Sequence, residues 1–430
     1  SVAWDLVDLF LSRGDAAQSA KWLEKARLHV GTWESVRMQA GRRASWTPVE
    51  RYLQDPLKVI DDYEASGFAP DEAKVLVLDE GVLVPDEAGW ATLVETNVTL
   101  LRTPTAVEAV GELEFPSDRE VWIVGVRKAD GEWMTPGGGE DGLVKETVSL
   151  PGLAPGDYLV IRTVKELHRA AGTPECSLWP TFYFGHRSLP VFQVRYTVWN
   201  HQDLPLESYT RNLPTGVTKD GATVWSASSL QPIPLEPYCA DGEVDLGLIQ
   251  VHSRCFNWEL MRNMAVNDVV AVCNAPAPGW VLEAAKEGPD AVFRSVLANI
   301  QPANETITAQ SYHDILQNRR GNLVTALYCS LVQAGFPARF LLMNSKEALP
   351  FDVARVTPSY FDSAVVRVTA SDGVHWYDPF DSQALPNELR RPLQGCRGLV
   401  LEPHYPHVFL TTPTIRESGG YFVKLTGKVD

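Results

Sequence analysis

The chain has 430 residues, which at about 150 residues per domain points to three domains, with ample apolar content for a sizeable core. It carries 38 Lys and Arg against 54 Asp and Glu, a formal net charge of -16, and no basic run that could track a phosphate backbone, which excludes a nucleic-acid binder. No stretch approaches the roughly 20 consecutive apolar residues of a membrane-spanning helix, and the six cysteines have no C-x-x-C spacing, which excludes zinc fingers and thioredoxin-like redox motifs.

The first 67 residues read as helices. Leu6, Leu9 and Phe10 form one apolar stripe, Gly14-Asp15 breaks it, and Ala20, Leu23 and Ala26 resume it at helical spacing. The stretch SRGDAAQSAKWLEKA, with Gly14 and Ala26, resembles the second half of a tetratricopeptide repeat; a plain helical hairpin is the alternative. One repeat cannot bury its own face, so 1–67 is expected to be the end of a longer array, cut from a larger or processed chain.

Residues 68–264 read as an antiparallel β-sandwich. Segments 74–78, 91–100, 121–126, 158–162, 181–184 and 191–199 are rich in β-branched and aromatic residues, and Asp130-Gly131, Asp141-Gly142, Pro155-Gly156 and Asp220-Gly221 supply the turns between them. From 265 to 398 helices come first, at 280–286, 289–299 and 312–334 with a break at Gly321, and strands follow at 339–343, 363–369 and 374–377. That order predicts an α+β domain. The tail, 399–430, reads as the start of a further β segment.

Three motifs in the last third follow one another: GFPAR at 335–339, YFDSAVV at 360–366 and HWYDPFD at 375–381. With KADGEWMTP and LAPGDYLVIR in the strand-rich part, they resemble the transglutaminase-like superfamily, a papain-like core, of the bacterial type with a preceding β-sandwich domain of unknown function. The resemblance covers most of residues 74–400. The family's chemistry needs a Cys at a helix N-terminus, where the helix dipole and a nearby His lower the thiol pKa. It also needs that His as base and an Asp to hold the imidazole in its productive tautomer.

Carried over by spacing from the Gly, the Cys position falls on Leu323; counted back from GFPAR it falls on Arg320. Neither is a thiol. The His position falls on Ser363, and only the Asp remains, as Asp378. The resemblance therefore implies a degenerate core with no catalytic residues. Tyr360, Phe361, Trp376 and Tyr377 are candidate walls of a groove that binds a peptide strand, with a plain core role as the alternative.

Other chemistry-bearing residues are weaker candidates. Cys329, inside a helical apolar run, is expected to be a buried structural cysteine. His375 reads as a lone surface histidine rather than a base. His404 and His407 form an H-x-x-H pair without a third ligand, so no metal is expected. Cys239 and Cys255, on what read as neighbouring β segments, are the one suggested disulfide.

The whole predicts a multidomain α+β protein: a short helical repeat-like segment, an antiparallel β-sandwich, then a transglutaminase-like core. Its expected role is that of a non-catalytic binding or scaffolding protein acting on other proteins or peptides, with no cofactor. The family resemblance implies the periplasm or cell envelope, with the cytoplasm still open. The alternatives are a cysteine-dependent transglutaminase or amide hydrolase with a displaced nucleophile such as Cys329, and a carbohydrate- or envelope-binding sandwich using Trp122, Trp133 and Trp179.

Overall fold

The structure is a computed structural model that describes residues 47–86, 89–116, 118–134, 147–167, 176–233, 245–380, 382–402 and 408–414. The repeat-like stretch 1–46, Cys239, His404 and His407 lie outside the described residues. The chain divides into two compact units, one running to Glu236 and taking in Asp245–Cys255, the other made of Pro237–Val244 and everything from Phe256.

Two short helices open the described part of the first unit, α1 (Thr47–Glu50) and α2 (Pro56–Ser66). Asp55 caps α2 by accepting from the Leu57 N–H at 3.0 Å, Pro56 sits at its first position, and Gly67, at φ 73, ends it in the left-handed conformation. Strands β1 (Lys74–Pro85) and β2 (Ala91–Leu101), helix α3 (Pro104–Glu108), and strands β3 (Glu112–Glu114), β4 (Arg119–Arg127), β5 (Trp133–Met134), β6 (Thr147–Ser149) and β7 (Tyr158–Leu167) follow. The unit is completed by β8 (Phe182–Phe184), β9 (Val191–Trp199), β10 (Leu206–Arg211), β11 (Val217–Lys219), β12 (Ala222–Leu230) and β13 (Gly247–Ser253).

Eight strands form one sheet in the order β11-β12-β9-β1-β2-β7-β4-β5, and β10-β13-β8 form a second. Leu76, Leu83, Tyr196 and Trp225 from the large sheet share a core with Phe184, Ile249 and Val251 from the small one, which is the expected sandwich. One pairing departs from the all-antiparallel expectation: β1 and β9 run parallel. Strand β1 is almost wholly buried because both its faces are covered. Val75, Val77 and Leu78 turn away from the small sheet onto Val59, Ile60 and Tyr63 of α2.

Helix α2, which belongs to the stretch predicted as a separate helical piece up to residue 67, thus packs on the outer face of the large sheet. The buried carboxylate of Glu80 accepts from the Gln54 N–H at 3.1 Å, and Arg162 donates to the Gln54 carbonyl at 2.9 Å. A disulfide joins Cys176 to Cys255. The suggested Cys239–Cys255 pair is therefore corrected: spacing along the chain does not show which strand segments the fold lays side by side.

The second unit begins with α4 (Trp258–Val272), α5 (Gly279–Ala285) and α6 (Pro289–Asn299), continues through β14 (Gln301–Pro302), α7 (Tyr312–Asn318), β15 (Arg320–Gly321) and α8 (Leu323–Gln333), and then turns to strand. Strands β16 (Ala338–Met343), β17 (Ser363–Ala370), β18 (Gly373–Tyr377), β19 (Arg397–Leu401) and β20 (Phe409–Thr411) make one antiparallel sheet in the order β18-β17-β16-β19-β20. The predicted boundary at 399 is corrected accordingly, because β19 and β20 pair into the core sheet. A second disulfide ties Cys273, the C-cap of α4, to Cys329 in the middle of α8. The fold is multidomain α+β, as predicted.

Candidate functional site

Helix α8 starts at Asn322, whose side-chain oxygen accepts from the N–H groups of Val324 and Thr325, both at 3.1 Å. The Asn322 amide donates to the Glu305 carbonyl at 3.0 Å, and the Thr325 hydroxyl donates to the Ile307 carbonyl at 2.7 Å. The first turn is therefore tied to residues 305–307, and two of the donors that a helix N-terminus offers to an anion or a thiolate are already used. Leu323 is the first helical residue and is buried. Arg320 is exposed in the short parallel pair with Gln301. Neither position bears a group that attacks a carbonyl.

Strand register separates the two faces of the core sheet. Phe340, Val366 and Tyr377 form one cross-strand row, and the helices pack on it: Tyr328 meets Phe340 edge-on at 5.4 Å, and Phe293 stacks on Tyr377 at 5.1 Å. Leu341 and Val365 in the next row point the other way, into a cluster with Met343, Leu389, Leu393 and Cys396. Ser363 pairs with Met343 and lies on this second face.

Asp378 follows Tyr377 and is 1% exposed. Its Oδ2 accepts from the Arg390 main-chain N–H at 3.0 Å and Nε at 2.9 Å, and its Oδ1 accepts from Nη2 at 3.0 Å. The carboxylate in the orienting position is thus engaged by an arginine. Ser363 stands on the face opposite the one on which α8 packs, and Asp378 is held by Arg390 rather than by Ser363 or a residue of α8.

The polar centre that sequence reading missed lies around His375. It is not a surface histidine but 8% exposed. Its Nδ1 is 3.1 Å from Asp290 Oδ1 at the start of α6, and its Nε2 is 2.9 Å from Asp372 Oδ1 in the β17–β18 turn. Tyr377 donates to the same Asp290 oxygen at 2.6 Å, and the Asn387 amide lies 3.5 Å from Nδ1. Burial by itself lowers the imidazole pKa, but the hydrogen bond to Asp372 and the charges of Asp290 and Asp372 outweigh it and hold the pKa above its ordinary value. When protonated, the ring can donate from both nitrogens to these carboxylates, and the imidazolium then has no lone pair left to take a proton from a substrate. Asp372, three residues before His375, was legible as a hairpin neighbour; Asp290, 85 residues away, was not.

The four aromatic candidates do not share a groove. Trp376 and Tyr377 are consecutive in a strand and face opposite sides of the sheet, and Tyr377 and Tyr360 are fully buried. Tyr360 and Phe361 belong instead to an aromatic group with Trp258, 6.4 and 6.1 Å from its ring. Cys329 is buried as expected, and its sulfur is bonded to Cys273. Cys396, a free thiol, is buried and donates to the Pro392 carbonyl at 3.0 Å, and burial pushes its pKa up. Trp179 is in the sandwich core and Trp122 packs against a separate cluster that includes Val82, Val94 and Val164, whereas Trp133 is 40% exposed; the three do not make one platform. Among the described residues no group of three or more His, Cys, Asp and Glu is placed to hold a metal ion, and no helix is long and apolar enough to cross a membrane.

No family model matches the chain, and no curated protein matches its sequence. Among solved structures, a protein from Parabacteroides distasonis described as a "putative protease" superposes with a TM-score of 0.57 at 12% identity, covering 80% of this chain and 72% of that one. The likeness is one of fold alone. An M1 zinc metallopeptidase from Deinococcus radiodurans aligns over 61% of this chain and 64% of its own at 14% identity, but with a TM-score of 0.25. Leukotriene A4 hydrolase from Saccharomyces cerevisiae aligns over 46% and 33% at 11% identity, with a TM-score of 0.23. Neither of these two superpositions is close enough to bear on the fold.

Proposed function

We propose that this protein is a non-catalytic binding or scaffolding protein, built on a transglutaminase-like core that has lost its Cys and His, and that it works by contact with other proteins or peptides of a bacterial cell envelope. The observation that carries the reading is the three-fold hold of Arg390 on Asp378. An orienting carboxylate serves catalysis only when it faces an imidazole, and here a guanidinium fills that place. The capped N-terminus of α8 and its missing thiol support the same conclusion. The fold shared with the Parabacteroides distasonis protein is compatible with a papain-like core.

A displaced nucleophile is disfavoured, since Cys329 is spent in a disulfide and Cys396 is buried with a raised pKa. The native protein is to be incubated with a thiolate-reactive glutamine or peptide analogue and the adducts mapped. The expected result is no stoichiometric label. Labelling of one cysteine that disappears in Asp378→Asn would establish a cysteine enzyme instead. The description of the Parabacteroides distasonis protein favours a peptidase as the second reading, and hydrolysis of unlabelled peptides by the purified chain would support it.

A further inference from the structure

Both disulfides among the described residues join segments that are far apart in the chain. Cys176 and Cys255 are 79 residues apart, with Cα atoms at 5.5 Å; Cys273 and Cys329 are 56 apart, with Cα atoms at 5.1 Å. The first bond depends on folded geometry around it. Ser177 donates its N–H to the Ser253 hydroxyl at 3.1 Å and accepts from the Ser253 N–H at 2.8 Å, and the Trp179 N–H donates to the Val251 carbonyl at 3.1 Å. Cys176 reaches Cys255 once residues 177–179 are laid along the end of β13.

In the unfolded chain the odds are different. Cys239 lies sixteen residues before Cys255 (255 minus 239), and Cys273 lies eighteen after it (273 minus 255). The chance of closing a flexible loop falls with about the 3/2 power of its length, so a 16-residue loop forms about tenfold more readily than the 79-residue loop of the native bond. Cys255 therefore meets its near neighbours first. The short spacing that made Cys239–Cys255 the natural guess from sequence is the same spacing that makes it the kinetic product.

We infer that this chain matures in an oxidising compartment through non-native bonds from Cys255 to Cys239 and Cys273, and that disulfide isomerisation is the class of reaction that must follow to deliver Cys176–Cys255. In the oxidation, two thiols pass two protons and two electrons to an acceptor disulfide, which leaves as two thiols. In the rearrangement, the Cys176 thiolate attacks Cys255 Sγ; the Cys176–Cys255 bond forms as the Cys239–Cys255 bond breaks, and Cys239 departs as a thiolate that takes up a proton. No net oxidant is consumed in this second step. The four paired cysteines among the described residues also require a compartment in which glutathione and thioredoxin do not keep thiols reduced. The inference stands apart from the proposed function, because the pairing is the same whether or not the core is catalytic.

The test is oxidative refolding of the reduced, unfolded full chain in a glutathione redox buffer. Samples are quenched by alkylation and their disulfide-linked peptides mapped by mass spectrometry, with and without a catalytic amount of protein disulfide isomerase. Early samples are expected to hold 239–255 and 255–273 peptides in about tenfold excess over 176–255, and the isomerase is expected to speed the appearance of 176–255. Cys239→Ala should remove roughly half of the early non-native pool. A first bond at 176–255 whose rate the isomerase leaves unchanged would overturn the inference, as would free Cys176 and Cys255 in the native protein. Should Cys239→Ala fail to fold, the time course of the unaltered chain decides the matter.

Discussion

Arg390 reaches Asp378 through its main chain and through two nitrogens of its guanidinium, while Asp378 is 1% exposed and the arginine side chain remains 39% accessible. The pair is asymmetric. Replacing Arg390 strands a carboxylate in the interior, whereas replacing Asp378 frees an arginine that can turn to water. Arg390→Ala is therefore expected to destabilise the second unit by about 3 kcal/mol, and Asp378→Asn, which keeps the shape and one acceptor, by about 1–2 kcal/mol. Urea unfolding of the two variants measures the order; equal or reversed costs would mean that the carboxylate is not held as described.

His375 makes stability depend on pH. Its folded pKa is above the unfolded value of about 6.5, because Asp372 and Asp290 outweigh the effect of burial. The contribution is fully present below the unfolded pKa and is lost as pH rises through the folded one. Thermal melts from mildly acidic to mildly alkaline pH should show the chain losing stability on the alkaline side, and His375→Gln should flatten that part of the profile. An unchanged profile in the variant would assign the pH dependence to other groups.

Reduction should weaken the second unit. The Cys273–Cys329 bond closes a loop of 56 residues, for which loop-closure entropy predicts a contribution of about 4 kcal/mol, with about 2–4 the usual measured range. A Cys273→Ala, Cys329→Ala double variant should melt below the oxidised protein by that amount, and a thiol reductant, which also opens Cys176–Cys255, should cost at least as much. A variant that melts with the oxidised protein would remove the bond from the account of stability.

Two glycines in the sandwich differ in what their replacement costs. A Cβ at Gly81 would sit 2.8 Å from the Tyr196 ring and 3.0 Å from that of Phe182, which stack at 4.6 Å inside the core. Gly81→Ala is expected to cost about 1–3 kcal/mol by overpacking. At Gly125 a Cβ would run into Trp133, but that ring is 40% exposed on a two-residue strand and can swing outward. Gly125→Ala should cost less than about 1 kcal/mol. Equal losses in denaturant titrations would contradict this contrast.

Element type was readable where pattern and punctuation agree. The turn at Asp220-Gly221 joins β11 to β12, and the segments at 289–299 and 363–369 appear as α6 and β17. Partnership was not readable. Helix α2 looked like part of a separate repeat because its own residues show only that one face must be covered; that the cover is Val75 and Val77 depends on where β1 lies. For Ser363 the motif showed residue type and strand position, but which face of the sheet it occupies follows from register against Met343, a property of the paired strands.

The charge balance, the α+β order of elements and the absence of a thiol at Leu323 and Arg320 were determined by the sequence alone, because each is a property of residues taken singly or at helical and strand periods. Tertiary structure decided that Arg390 occupies Asp378, that Asp290 and Asp372 clasp His375, and that Cys255 joins Cys176 rather than its near neighbours. The Asp290–His375 and Cys176–Cys255 contacts join residues 85 and 79 apart, and Arg390 meets Asp378 across a separation of 12; their formation depends on which strands and helices pack together, whereas chain spacing governs only the encounters of the unfolded chain.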